Sequence, residues 1–163
     1  MDFVNIGITG LLTYICYDKG LIGLGTNINC PEDNEKEIRT NINQCLLEDN
    51  FSQAGNTVIN GQFKYHNLCD KPFIVDAKEV TKNANRCNLS NPDLEITRKV
   101  FYIGFSQGVK VKNEDFAYAI TSKDKDTSIK EIINTKAIQG VLFNDGSYKL
   151  WLAESPLLQV WDG

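Results

Sequence analysis

Leu11-Leu12-Thr13-Tyr14-Ile15-Cys16-Tyr17 is a run of good strand formers, and Leu21 to Thr26 is a second, with Asp18-Lys19-Gly20 between them. Runs of this kind separated by a short Gly-containing turn specify a β-hairpin, here with a three-residue loop and Gly20 in the left-handed position. That register puts Tyr14, Cys16, Ile22 and Leu24 on one face and Ile15, Tyr17 and Gly23 on the other. A hairpin with two apolar faces cannot sit on a solvated surface. Such strands are central, or are covered by a partner.

The spacing next predicts a helix from Pro31 to Glu48. Pro31 suits the first helical position, and Glu32, Asp33 and Glu35 suit the positive end of the dipole. Ile38, Ile42, Cys45 and Leu46 then recur at i, i+4, i+7 and i+8, which is one buried stripe. A continuous helix would hold Cys30 and Cys45 about 22 Å apart, too far for a disulfide.

Gln62–Leu68 and Phe73–Val80 read as strands. Val100–Phe105, Val109–Lys112 and Phe116–Thr121 read as a meander, and the last presents Phe116, Tyr118 and Ile120 on one large apolar face. Ser128-Ile129-Lys130-Glu131 matches a capping box and predicts a second short helix, with Ile129, Ile132 and Ile133 buried. The last hairpin pairs Ile138–Phe143 with Tyr148–Leu152 around a type I′ Asp145-Gly146 turn. It sets Phe143 against Tyr148 and Gly140 against Trp151. The expected fold is α+β: a mainly antiparallel β-sheet of hairpins and a meander, with two helices packed on one face, in a single domain over residues 1–163.

At 163 residues, 42% hydrophobic and 23% charged, the chain is long enough to fold on its own core. A net charge of −4 repels nucleic acid rather than recruiting it. The apolar run Phe3–Tyr17 follows Asp2 instead of a basic segment and is too short for a membrane span. A soluble chain is expected, either cytoplasmic or exported after removal of a signal.

Chemistry-bearing residues are few. His66 is the only histidine, and Cys69 follows three residues on. A Cys–His pair activates a thiolate or supplies metal ligands, but residues i and i+3 of a strand point to opposite faces, so the pair needs an intervening turn. No C-x2-C spacing marks a zinc site. The five cysteines suit reduced thiols, or up to two disulfides among Cys16, Cys30, Cys69 and Cys87. Gly20-x-x-Gly23-x-Gly25 reverses the dinucleotide fingerprint, and Asp124-x-Asp126-x-Ser128 departs from a calcium loop at its sixth and twelfth positions. Neither calls for a cofactor. The tail holds Leu157, Leu158, Val160 and Trp161, an apolar segment suited to a protein partner or to self-association. By elimination the sequence points to a non-catalytic binding or assembly module acting through protein–protein contacts. The alternative is a small cysteine-dependent or metal-assisted enzyme using His66 and Cys69.

Overall fold

A computed structural model of the chain describes residues 7–47 and 50–152. The described chain is nearly all strand, with no helix of seven or more residues. Twelve strands follow in order: β1 (Thr9–Tyr17), β2 (Gly20–Asn29), β3 (Ile38–Leu46), β4 (Ser52–Ala54), β5 (Thr57–Asn60), β6 (Phe63–Asn67), β7 (Ile74–Asn83), β8 (Glu95–Gly108), β9 (Glu114–Ser122), β10 (Ile129–Asn134), β11 (Ile138–Phe143) and β12 (Tyr148–Leu152). One 3-10 turn, Ala84–Arg86, interrupts them. No helix among the described residues is long and apolar enough to cross a membrane.

The strands form a six-stranded sheet, β1-β2-β9-β6-β5-β4, and two three-stranded sheets, β3-β8-β7 and β10-β11-β12, all antiparallel. The six-stranded sheet is the central layer. Its β9 alternates Phe116 and Tyr118 with Ala117 and Ala119, and all four are buried. The large side packs with Phe105 of β8, while the small side packs with Val141 and Phe143 of β11. The two smaller sheets therefore lie on opposite faces of the large one. Of the first hairpin, Ile15, Ile22 and Leu24 share one face and join the core under β10-β11-β12, and Ile28 further along β2 joins the core under β3-β8-β7. The expectation that both faces are covered fails on the edge strand β1, whose Leu12, Tyr14 and Cys16 are exposed.

The expected α+β architecture is thus corrected to an all-β one, and both expected helices are strands. Each error has the same cause, a β-bulge. In β3 the register slips between Ile38 and Arg39 and again between Asn41 and Asn43, where Ile42 is the extra residue, and Ile38, Ile42 and Cys45 all pack inward. One extra residue in a period-2 pattern yields the spacing 4 then 3, which imitates a helical stripe. Leu46, expected in the stripe, is 58% exposed. In β10 the register slips between Ile129 and Glu131, and Ile129 and Ile132 share the inward side. Ser128, read as the helix cap, has φ of +56°, whereas an N-cap residue takes extended values. With the first helix gone, the 22 Å separation inferred for Cys30 and Cys45 loses its basis.

Both hairpins exist, each one residue out of the expected register. The first closes with Tyr17 opposite Gly20, a two-residue turn that pairs Ile15 with Ile22. In the last, Leu142 faces Tyr148, so Gly140 lies opposite Leu150, and Trp151 meets Gln139. A one-residue slip turns every side chain to the other face. The expected meander is also broken: β8 and β9 belong to different sheets, and Val109–Lys112 is the crossing between them.

Polar groups tie the central layer to β10-β11-β12. Thr13 Oγ1 donates to Gln139 Oε1 at 2.6 Å, and Gln139 Nε2 donates to Asn134 Oδ1 at 2.8 Å. Asn134 Nδ2 donates to the Gly25 and Phe116 carbonyls at 2.9 and 3.1 Å. Gln139 is 1% exposed, so this network satisfies an amide that would otherwise be costly to bury.

Candidate functional site

Strand β8 carries two different surfaces. Phe101, Ile103 and Phe105 point into the core and are fully buried. Val100, Tyr102 and Gly104 alternate with them on the outer face of β3-β8-β7. A Cβ on Gly104 would lie 2.5 Å from Tyr102 Oη and 2.3 Å from the Thr40 carbonyl oxygen. The absence of a side chain at Gly104 therefore lets the Tyr102 ring lie down along the sheet. Across the ladder Tyr102 is flanked by Gln44 on β3 and Asp76 on β7. The result is an open groove of about 590 Å³ with Tyr102 on its floor and Arg39, Gln44, Asp76, Lys78 and Val100 around it.

The charges of this groove are matched in pairs. Arg39 Nη2 lies 2.7 Å from Glu37 Oε2, and Lys78 Nζ lies 3.4 Å from Asp76 Oδ2. Ser106 Oγ donates to the other Glu37 oxygen at 2.5 Å. That bond, followed by Arg39, lowers the Glu37 pKa below its ordinary value. Glu37 in turn raises the Arg39 pKa, with smaller contributions from Tyr102 and Asp76.

A second groove, about 420 Å³, lies on the other side of β3. Leu12, Tyr14, Ile38 and Phe116 line it, and it shares Arg39 and Asn41 with the first. Its floor also depends on glycine: a Cβ on Gly25 would meet the Phe116 ring at 2.2 Å. Tyr14, directly across from Gly23, is 59% exposed. A third cleft, about 400 Å³, sits by the first hairpin turn and mixes Asp18 and Asp145 with Lys19 and Lys149.

The residues singled out from sequence lie elsewhere. His66 is on β6, and its Nε2 is 2.9 Å from Thr121 Oγ1. Cys69 Sγ lies 3.4 Å from Asn67 Oδ1 and 3.8 Å from the Lys71 carbonyl. No hydrogen bond joins His66 to Cys69 among the described residues. All five cysteines are free thiols: Cys16 and Cys87 are exposed, while Cys30, Cys45 and Cys69 are half-buried. Among the described residues no three His, Cys, Asp or Glu side chains converge on a metal position. Leu157, Leu158, Val160 and Trp161 lie outside the described residues.

Burial first, and then Lys64, lowers the His66 pKa below 6.5. A base with a depressed folded pKa resists protonation in the native state. Stability is therefore full above pH 6.5 and falls as the pH drops from 6.5 towards the lowered folded value. Urea midpoints measured from pH 7.5 downward should show this decline in the parent and a smaller one in His66→Gln. Equal profiles would refute it.

No family model matches the chain, and no curated protein sequence does. Solved structures do match. The Streptomyces coelicolor A3 chondroitin AC lyase, in complex with chondroitin sulphate, superposes with a TM-score of 0.78 at 12% identity, over 92% of this chain and 22% of the lyase. A chondroitinase AC lyase studied with oligosaccharides gives 0.79 at 16% identity, over 92% of this chain and 26% of the enzyme. The Paenibacillus xanthan lyase gives 0.78 at 12%, over 94% of this chain and 18% of the enzyme. The fold is that of one stretch of these polysaccharide lyases. The chain spans about a quarter of their length or less, and at these identities the likeness is one of fold.

Sequence reasoning missed the Tyr102 groove because it read β8 only for its core. Tyr102-x-Gly104 was the available signal: a large ring two residues from a glycine on the same strand face, where the ring can cover bare backbone.

Proposed function

We propose that this chain is a non-catalytic saccharide-binding domain that holds a glycan on the outer face of β3-β8-β7. The observation that carries this reading is the Tyr102 ring laid along the groove floor between Gln44 and Asp76. A pyranose ring has a C–H face that packs on an aromatic face, and a rim of hydroxyls that needs donors and acceptors at its edges. The groove supplies both kinds of contact. Polysaccharide lyases among its structural neighbours support the same ligand class.

Affinity electrophoresis through gels containing xyloglucan, glucomannan, hyaluronan or chondroitin sulphate tests the proposal. At least one polymer should retard the native protein. Tyr102→Ala should lose that retardation while melting normally, and Tyr102→Phe should keep most of it. His66→Ala should bind like the parent. Retardation by none of the polymers, or undiminished retardation of Tyr102→Ala, would overturn the reading.

A second reading, contact with another protein, is favoured by β12. Tyr148, Leu150, Trp151 and Leu152 are all more than half exposed on this edge strand. Exposed apolar edges of this kind mark interaction surfaces. Self-association on β12 would appear as a concentration-dependent mass in light scattering that Trp151→Lys abolishes. A monomeric mass at all concentrations would exclude self-association.

A further inference from the structure

We infer that the two grooves flanking β3 form one track for a single glycan, and that the track reads the uncharged hydroxyl face of that glycan instead of its anionic groups. The inference rests on the saccharide-binding reading and extends it in length and in ligand class. Continuity comes from β3 itself. Arg39 and Asn41 line both grooves, so the rim between them is one edge strand and not a separating wall. A tyrosine serves each side, the exposed Tyr14 beyond the rim and the half-buried, flat Tyr102 before it.

Ligand class comes from the charges. Both cations of the first groove already face carboxylates, Arg39 with Glu37 and Lys78 with Asp76. Glu37 Oε2 accepts from Arg39 Nε and lies 2.7 Å from Nη2, which occupies one edge of the guanidinium. A carboxylate or sulfate on the ligand would meet the Glu37 and Asp76 carboxylates along with the two cations, within a chain of net charge −4. The groups left for recognition are the Asn41 and Gln44 amides, the Tyr102 hydroxyl and the remaining Arg39 donors. These suit neutral hydroxyls.

Calorimetry with hyaluronan tetrasaccharide and decasaccharide, each native and carboxyl-reduced, reads both halves of the inference, alongside the neutral polymers of the electrophoresis panel. Carboxyl-reduced ligand should bind at least as tightly as native ligand, with little change between low and high salt. The decasaccharide should exceed the tetrasaccharide by about tenfold or more, as linked subsites do. Tyr14→Ala should erase that gain and leave tetrasaccharide binding intact, whereas Tyr102→Ala should lose both. Retention by neutral polymers alone would also support the ligand class. Tighter binding of the native forms with a steep loss in salt, or a length gain that survives Tyr14→Ala, would overturn this inference and leave saccharide binding standing. Binding to no glycan at all would overturn both.

Discussion

Phe105→Ala is expected to destabilise the chain by about 3–5 kcal/mol, the usual cost of deleting a large ring from a packed core. Phe105 is fully buried, and its ring centroid lies 5.0 Å from that of Phe73 and 5.8 Å from that of Phe116. Phe116 in turn stacks on Tyr118 at 6.0 Å. Phe105 thus joins β8 to the large face of the central sheet, and its loss opens a cavity between two layers. Rings at this spacing add something beyond their buried area. Urea unfolding at neutral pH measures the loss directly. A midpoint within experimental error of the parent would mean that the two sheets are not packed through this residue.

The second large effect is expected at Gly104. An added methyl would sit 2.3 Å from the Thr40 carbonyl oxygen, which is fixed backbone, and 2.5 Å from Tyr102 Oη. Neither contact is tolerable, so either β3 moves or the Tyr102 ring swings away. Gly104→Ala should cost about 1–3 kcal/mol of stability, as overpacking does. It should also lower saccharide affinity about as far as truncating a binding hot spot, a factor of roughly 30. Gly61→Ala is a useful contrast. Its added Cβ would meet nothing within 4 Å, although its φ of +58° makes the backbone unfavourable. It should lose some stability and no binding. Gly104→Ala with full affinity would break the link drawn here between the bare backbone and the aromatic floor.

The existence of both hairpins and the β9 alternation were legible from sequence, because each rests on a period of two or on turn residues; the hairpin registers were not, and so the faces of the first hairpin were misassigned. The two expected helices were not strands on the page for a specific reason. At Ile42 and at Ile129–Glu131 a bulge adds one residue to the alternation, and inward residues then recur at helical spacing. Local pattern cannot separate these cases. The separation comes from pairing with Val100–Gly108 and with Gln139–Phe143, partners distant in the chain for β3 and five or more residues away for β10. The site was hidden for a related reason. Tyr102, Arg39, Gln44 and Asp76 come from three strands, and only the ladder registers bring them together. His66 and Cys69 drew notice by residue type, whereas the proposed site is built of a tyrosine, two amides and the shape of a sheet, none of which stands out by type.

The claim that a glycan lies on the outer face of β3-β8-β7 is tested most directly by following backbone amide resonances while a retained oligosaccharide is added. Saturable shifts are expected at Arg39–Gln44, Val100–Gly104 and Asp76–Lys78, with little change along Tyr148–Leu152. Shifts concentrated on Tyr148–Leu152 or around the Lys19 and Lys149 cleft, with the Tyr102 region unmoved, would contradict it.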